Sequence, residues 1–185
     1  MRHAGTQPIA TARLTMRELS LCDAEMMFSN WRSDDDVALF MRWTAHSSVE
    51  DTEAEIRELQ KRYLLGNTYH WGLFLGDGTL IGVAGVRITS EDDLRCDAVY
   101  SIGKAFWGQG YTSEALKAVI DYMYTNTDIE RIEAYHSVQN PASGGVLSNV
   151  GMSLEGHSRH KYRNRDGFQN CNLYGIIRDD WERSK

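Results

Sequence analysis

Apolar and polar residues recur along this chain with two different periods, which divide it into strands and helices. Segments with a period of two, and short continuous apolar runs, predict strands, whereas apolar residues recurring every three or four positions predict amphipathic helices. The predicted strands are residues 13–19, 69–75, 80–88, 96–102, 131–138, 152–162 and 168–177. The predicted helices are residues 20–31, 37–43, 47–65, 112–126 and 140–150.

Cap and turn residues set the limits of these elements. Ser47 and Glu50 have the spacing of a capping box, and Asn140-Pro141 puts a cap and a first-turn proline at the start of a helix. The glycine-containing turn at 163–167 joins two strands directly as a hairpin. Because some neighbouring strands are joined by hairpins and others are separated by helices, we expect a mixed sheet with helices packed on it.

Length and composition indicate an ordinary globular domain. The chain has 185 residues, 42% of them apolar, and we expect residues 1–10 to be a flexible tail and residues 11–185 a single domain. The net charge of −6 argues against nucleic acid as a partner. Three widely spaced cysteines predict free buried thiols in a reducing compartment. With no apolar run typical of a membrane span or a secretory signal, these features favour a cytoplasmic protein.

The clearest candidate chemistry lies in the sequence W-G-Q-G-Y-T at residues 107–112, between a predicted strand and a predicted helix. The first N–H groups of a helix lack intrahelical acceptors, the helix dipole is positive there, and glycines let a ligand approach the backbone. The stretch therefore predicts an anion site suited to phosphate or pyrophosphate, although a tight strand-to-helix turn would use the same glycines. Ser113 breaks the dinucleotide pattern G-x-G-x-x-G, and the ATP-type pattern G-x-x-x-x-G-K-S/T is absent.

The longer sequence F-W-G-Q-G-Y-T-S-E-A-L resembles the pyrophosphate-binding motif of the GNAT acyltransferases, in particular of the RimJ/RimL-type N-acetyltransferases. A second segment, N-P-A-S-G-G-V-L-S-N-V-G-M, resembles the later motif of that family, with Asn140, Ser143 and Gly151 in matching positions. Met152 stands where that motif has Phe. Leu147 stands where many of these enzymes have a tyrosine that acts as general acid, so that role has no counterpart here.

The resemblance implies the GNAT fold, an α/β (α+β) arrangement whose mixed, mostly antiparallel sheet is splayed between its fourth and fifth strands and flanked by helices. Acetyl-CoA, the acyl donor, would lie in this gap, with its pantetheine on the fourth strand near residues 99–102 and its pyrophosphate on residues 107–112. The implied cofactor-binding residues are Tyr100, Ser101, Ile102, Trp107, Gly108, Gln109, Gly110, Tyr111, Thr112, Asn140 and Ser143.

The implied reaction is direct transfer of the acetyl group to a primary amine. In RimJ/RimL-type enzymes a serine at the position of Ser143 is the proposed proton donor to the departing thiolate, and a hydroxyl at a helix N-terminus can hydrogen-bond such a group. Asp97 on the fourth strand is the candidate base, and His136 on the fifth strand is its rival. Each of these residues also has a purely structural interpretation. Ser143 would then be a helix-start residue, Asp97 an ion-pair partner and His136 a core histidine. His157 and His160 lack a third ligand, so we expect no metal.

The expected function is acetyl transfer from acetyl-CoA to the N-terminal α-amine of a protein or peptide. The alternatives are a small amine acceptor (a polyamine, an amino acid or an aminoglycoside) and a catalytically silent acyl-CoA-binding protein. Acidic residues in the acceptor cleft would favour a polycation, and an open groove between residues 34–43 and 157–168 would favour a peptide. We expect no nucleic-acid or membrane partner, and relatives of the RimJ/RimL type often form homodimers.

Overall fold

The computed structural model describes all 185 residues and is built on one sheet of eight strands. The strands are β1 (Ile9–Ala10), β2 (Thr15–Arg17), β3 (Tyr69–Phe74), β4 (Leu80–Ser90), β5 (Arg95–Ile102), β6 (Arg131–Ser137), β7 (Ser153–Asn164) and β8 (Gly167–Ile177). Their order across the sheet is β1-β2-β3-β4-β5-β6-β8-β7, and every neighbouring pair is antiparallel except β5 with β6. The expected mixed, mostly antiparallel sheet is thus confirmed.

Six α-helices flank this sheet. They are α1 (Ala24–Met27), α2 (Asp35–Ala38), α3 (Val49–Tyr63), α4 (Tyr111–Asn126), α5 (Pro141–Asn149) and α6 (Arg178–Arg183). A 3₁₀ turn at Leu21–Asp23 and a π-helical turn at Phe28–Arg32 extend α1 at its two ends, which together account for the helix predicted over residues 20–31.

Several elements differ from the sequence predictions. The strands β1 and β2 are short, the helix α6 was not predicted, and α2 covers only the first part of the predicted segment 37–43. The cap of α3 is Ser48, because its backbone N–H donates to the carboxylate of Asp51 at 3.3 Å, so the box predicted at Ser47 and Glu50 is shifted by one residue.

The first ten residues lie against the sheet rather than forming the flexible tail that the sequence predicted. Thr6 is buried and donates a hydrogen bond to the Thr68 carbonyl at 2.7 Å. Trp71 Nε1 donates to the Gln7 carbonyl at 2.7 Å, and the Tyr122 hydroxyl donates to that of Gly5 at 2.8 Å. Side chains distant in sequence thus hold the backbone of this segment in place. The composition of residues 1–10 alone does not indicate these contacts.

The helices bury two separate cores, one on each face of the sheet. The helices α4, α5 and α6 cover the first face, where Leu116, Leu147 and Trp181 contribute to the larger core. The helices α1 and α3 cover the second face, where Met27 and Ile56 pack in the smaller core. Because side chains alternate along a strand, consecutive residues of β5 and β6 point into different layers. We refer to these layers as the α4 face and the α3 face.

The sheet opens between β5 and β6. These strands run parallel and pair only through Arg95, Cys96 and Asp97 of β5, whose partners are Arg131, Ile132 and Glu133 of β6. Beyond that point β5 stays paired with β4 and β6 stays paired with β8, so the two strands diverge. The predicted splay is therefore confirmed, and it begins directly after Asp97.

The thiols are free, and two of the three are buried as predicted. Cys96 and Cys171 lie inside, whereas Cys22 is exposed because it occupies the outer side of the 3₁₀ turn before α1. Burial raises the pKa of the Cys96 thiol, which keeps this group protonated and unreactive. None of the helices combines the length and the apolar character needed to cross a membrane.

Candidate functional site

The glycine turn and the first turn of α4 present a row of free backbone amides. The N–H groups of residues 108–113 form no hydrogen bond within the protein, and the first amide that does is that of Glu114, bonded to the Gly110 carbonyl at 3.0 Å. Gly108 and Gly110 have φ values of 72° and 80°, in the left-handed region that disfavours side chains. The backbone therefore requires both glycines, and the turn offers the donors that an anion needs.

Side chains on either side of the glycines hold this turn in shape. Trp107 Nε1 donates to the Ile102 carbonyl at 2.9 Å, and Gln109 Nε2 donates to the Ala105 carbonyl at 2.9 Å. The Trp107 ring remains 47% exposed. Trp107 Nε1 and Gln109 Nε2 both donate to backbone carbonyls and do not bond to the free amides, so these amides stay available to a ligand.

Arg13 fastens the turn from outside, which the sequence did not predict. Its Nη1 donates to the Gln109 carbonyl at 2.9 Å, and its Nε donates to the carboxylate of Glu114 at 2.6 Å. The guanidinium also stacks on the Tyr111 ring, 4.4 Å from its centroid. Burial acts against ionisation of Glu114, but hydrogen bonds from Thr11 and Arg13 lower its pKa. The one acidic side chain in the first turn of α4 is thereby paired and drawn away from the amides.

The gap between the strands leads to this turn. On one edge β5 pairs with β4 as far as Ile102, opposite Gly82, whereas its other edge has no strand partner beyond Asp97. Because successive residues of a strand point their backbone groups to opposite edges, the backbone of Tyr100 and the N–H of Ile102 are open toward the gap, whereas Ser101 pairs with Val83 of β4. An extended ligand with amide groups can pair with such an edge, as a peptide does when it adds a strand to a sheet.

Two hydroxyl groups meet at the wall of the gap on the α4 face. The Tyr100 hydroxyl and Ser143 Oγ are 2.8 Å apart, which joins β5 to the start of α5. Asn140 caps α5, its Oδ1 accepting from the Ser143 N–H at 3.3 Å. Burial raises the pKa of Tyr100 to about 12, with the Ser143 hydrogen bond opposing the shift, so Tyr100 stays a hydroxyl that can donate to Ser143. Leu147, further along α5, is fully buried in the core.

His136 lies on the same face, packed under α5. Its Nδ1 is 2.7 Å from the Ser137 carbonyl, which can only accept, so Nδ1 carries the proton and Nε2 is a bare acceptor. Nε2 is buried and has no partner, and it faces α5 so closely that a Cβ added to Gly144 would lie 2.7 Å from it. Nε2 is thus a buried polar atom without a partner beneath the start of α5, beside the Tyr100–Ser143 pair.

Asp97 is not part of this group. It lies at the closed end of the splay and alternates onto the α3 face, where its carboxylate accepts a hydrogen bond from Arg87 Nη2 at 2.8 Å. Asp97 therefore forms an ion pair, which is the structural interpretation that the sequence left open for it. The two candidate bases, Asp97 and His136, face opposite layers of the sheet.

The α3 face carries a different set of side chains beside the gap. Tyr135 of β6 lies 5.8 Å from Tyr162 of β7 between ring centroids. Arg42, from the loop after α2, donates to the Tyr135 hydroxyl at 3.1 Å and lies over the Tyr162 ring at 5.1 Å. Lys161 Nζ lies 5.3 Å from the centroid of Tyr135. We call Arg42, Tyr135, Lys161 and Tyr162 the cation–aromatic cluster, and no local pattern in the sequence indicates it.

Hydrogen bonds join the α2 segment (residues 34–43) to the β7–β8 hairpin, so no open groove separates the two. The Tyr162 hydroxyl donates to the Phe40 carbonyl at 2.6 Å, and Asn164 Nδ2 donates to the Leu39 carbonyl at 2.9 Å. Arg165 forms an ion pair with Asp35 next to these bonds. The groove that would favour a long peptide is thus closed between these two segments.

The site therefore combines an open strand edge with a row of free amides at its mouth, which suits an extended ligand that carries a phosphate group. Residues 13–153 match the family model described as the acetyltransferase (GNAT) domain. The chain therefore belongs to the GNAT acetyltransferase family.

Relatives and solved structures of this kind cover most of the chain. An uncharacterised N-acetyltransferase, p20, from Bacillus licheniformis is 25% identical over 176 residues, which span 95% of this chain and 98% of that protein. The ribosomal protein uS5-alanine N-acetyltransferase of Escherichia coli is 30% identical over 144 residues, or 76% of this chain and 74% of that one. The structure of RimL, a ribosomal L7/L12 α-N-protein acetyltransferase in complex with coenzyme A, superposes with a TM-score of 0.83 at 19% identity, covering 92% and 98% of the two chains. At this identity the structural match shows the fold.

Proposed function

We propose that this protein transfers the acetyl group of acetyl-CoA to a primary amine, and that the amine is the N-terminal α-amine of a protein. The observation that carries the first part is the row of free amides at residues 108–113, which continues into the unpaired edge of β5. Such a surface suits a ligand with a diphosphate at one end and amide groups along its length. Membership of the GNAT family supports acetyl-CoA as that ligand.

The acceptor follows from the relatives. By their names, the Escherichia coli enzyme is an N-acetyltransferase for an alanine of ribosomal protein uS5, and RimL is an α-N-protein acetyltransferase for ribosomal L7/L12. A small amine is the second candidate, because the hydrogen bonds of Tyr162 and Asn164 to the α2 segment narrow the approach to the gap. A cytoplasmic location, favoured by the free thiols, belongs to the same proposal.

Binding in this proposal divides between the two ends of the gap. The amides of residues 108–113, shaped by Gly108 and Gly110 and fastened by Arg13, hold the diphosphate. The open backbone of Tyr100 and the free N–H of Ile102 pair with the pantetheine. His136 Nε2 faces Gly144 from beneath α5, so His136 belongs to the wall of the gap and is not the base.

The chemistry is a direct displacement at the thioester. The neutral amine attacks the carbonyl carbon, a C–N bond forms, the C–S bond breaks and the thiolate takes a proton. Ser143 supplies that proton while the Tyr100 hydroxyl, 2.8 Å away, donates a hydrogen bond to its oxygen, and a proton from solvent restores Ser143 when the products leave. Asp97 is the base for the amine, because it is the one of the two candidates that faces the layer opposite α4 and α5.

A thiol-release assay with acetyl-CoA tests the reaction, using N-terminal peptides and small amines as acceptors. We expect release with at least one acceptor, and loss of CoA binding in Gly110→Trp, which puts a large side chain at a left-handed residue among the amides. Gly76→Trp is the matched control, because Gly76 has open space around it and an ordinary φ. Absence of CoA binding in the wild-type protein would refute the proposal.

The silent-binder alternative has its own outcome in this experiment. Tight CoA binding without thiol release over a broad acceptor panel would support a protein that binds acyl-CoA and has lost catalysis. Peptides and small amines are compared in the same assay, so their relative kcat/KM also decides between the two acceptor classes.

A further inference from the structure

Two cations on the α3 face have no carboxylate partner, although acidic residues pair with their neighbours. Lys104 pairs with Asp36, and Arg165 pairs with Asp35. Arg42 and Lys161 form no such ion pair, and their polar and ring contacts are with tyrosines. The cation–aromatic cluster therefore carries two uncompensated positive charges.

The cluster holds these charges in place without neutralising them. The ring of Tyr135 lies under Lys161 Nζ at 5.3 Å, and its hydroxyl accepts from Arg42 at 3.1 Å. Tyr162 lies under the Arg42 guanidinium at 5.1 Å and is itself fixed by its bond to the Phe40 carbonyl. Aromatic faces orient cations, and two like charges fixed near one another favour the binding of an anion between them.

The carboxylates that β5 and β6 carry on this face are already paired. Asp97 is paired with Arg87. Arg131 pairs with both Glu133 and Glu155. No carboxylate of these groups is free to neutralise the cluster, so the anion that matches it must come from a bound molecule.

The position of the cluster identifies which molecule that is. Tyr135 belongs to the splayed part of β6 and precedes His136, so the two side chains lie on opposite faces at the same level of the gap. The α4 face at this level is occupied by the Tyr100–Ser143 pair and α5. An amine that attacks a thioester held in the gap must therefore arrive from the α3 face, past the cluster.

We propose that Arg42 and Lys161 bind a carboxylate of the acceptor, a few bonds away from the amine that is acetylated. This inference rests on the proposed function and specifies its acceptor. The carboxylate belongs either to a free α-amino acid or to an acidic side chain close to a peptide N-terminus. The guanidinium of Arg42 and the ammonium of Lys161 make charge-assisted hydrogen bonds to it. A polycationic acceptor is disfavoured by the same two charges.

Matched acceptors test this inference in the full-length protein. The first pair is the peptide Ala-Glu-Ala-Ala amide and its Ala-Gln-Ala-Ala counterpart, and the second is free alanine and alanine amide. We expect the carboxylate member of one pair to have a kcat/KM about tenfold higher, the size of one charge-assisted hydrogen bond. The pair that shows the difference identifies the source of the carboxylate.

The variant Arg42→Gln/Lys161→Gln should bring that ratio close to one while CoA affinity and the unfolding midpoint stay unchanged. Arg57→Gln/Lys61→Gln removes the same two charges from α3 and should keep the wild-type ratio. Equal turnover of both members of each pair, or an unchanged ratio in the Arg42/Lys161 variant, would overturn the inference and leave the transferase proposal intact. If no acceptor is turned over, the transferase proposal itself fails, and the inference fails with it.

Discussion

Arg13 donates a hydrogen bond to the carbonyl oxygen of Gln109 at 2.9 Å, across 96 positions of sequence. The contact holds the glycine turn to the segment before β2, and the same guanidinium binds Glu114 in the first turn of α4. The amides that face the proposed diphosphate therefore depend on a residue outside their own motif.

We expect Arg13→Ala to weaken CoA binding by about three- to tenfold. A charge-assisted hydrogen bond contributes about 1.5–3 kcal/mol, and the partial exposure of Arg13 reduces its effect. Isothermal titration with CoA measures the change, with Arg57→Ala as the control for loss of one surface arginine. An unaltered dissociation constant would mean that the turn keeps its shape without this contact.

Ser143→Ala is expected to lower kcat about 100-fold, the order of magnitude of one general acid. Tyr100→Phe should lower it less, about tenfold, because Ser143, the proposed proton donor, is still present. The two hydroxyls act in series, so the double variant should be no slower than Ser143→Ala alone. Steady-state kinetics with saturating acetyl-CoA provides the measurement, and effects that multiply would show that the hydroxyls work independently.

Two adjacent glycines of α5 should respond in opposite ways to alanine. Gly144→Ala adds a Cβ 2.7 Å from His136 Nε2 and is expected to lower the free energy of unfolding by about 1–3 kcal/mol. Gly145 has open space around it, so Gly145→Ala should raise that free energy by about 0.5–1 kcal/mol through helix propensity. Urea unfolding of both variants tests this, and an equal effect of the two would contradict the close packing of His136 against α5.

The stability of the protein should fall as the pH drops below about 6.5 because of His70. Burial, with nearby Arg62 and Arg32, lowers the pKa of His70 to about 4 in the folded state, whereas an unfolded histidine titrates near 6.5. The unfolded chain then binds a proton that the folded chain does not, so stability is complete above pH 6.5 and is lost between pH 6.5 and 4.

At pH 5 this loss is about 2 kcal/mol, from one and a half pH units at 1.36 kcal/mol each. Urea unfolding at pH 7 and pH 5 measures it, and His70→Gln should show a smaller difference between the two pH values. His157→Gln, which removes an exposed histidine, is the control. A difference as large in His70→Gln as in the wild type would assign the loss to other groups.

The parts of the fold that local patterns specify were predictable from the sequence. The helix α4 starts one residue before its predicted limit, and β6 ends one residue before its own, because the apolar period and the glycine and proline signals are local. Contacts between distant segments were not predictable in this way. Arg13 and Glu114, or Arg42 and Tyr135, meet only when the sheet has formed, and no spacing in the sequence encodes their distance.

The candidate site also combines features that local motifs predict with features that depend on contacts between distant segments. The residues around Gly110 lie at the mouth of the gap and Ser143 lies on its wall, and their roles in binding and catalysis stay predictions. The sequence could not predict that the two candidate bases, Asp97 and His136, face opposite layers, because this depends on the strand register. It could not predict the ion pair of Asp97 either, because its partner Arg87 belongs to the neighbouring strand β4.

Alternation along β6 has an evolutionary consequence. Tyr135 and His136 are neighbours in the chain but face different layers, one toward the cation–aromatic cluster and the other toward α5. Substitutions on one layer can therefore accumulate without repacking the other. A lineage built on this sheet can change the amine it accepts while it keeps the donor it inherited.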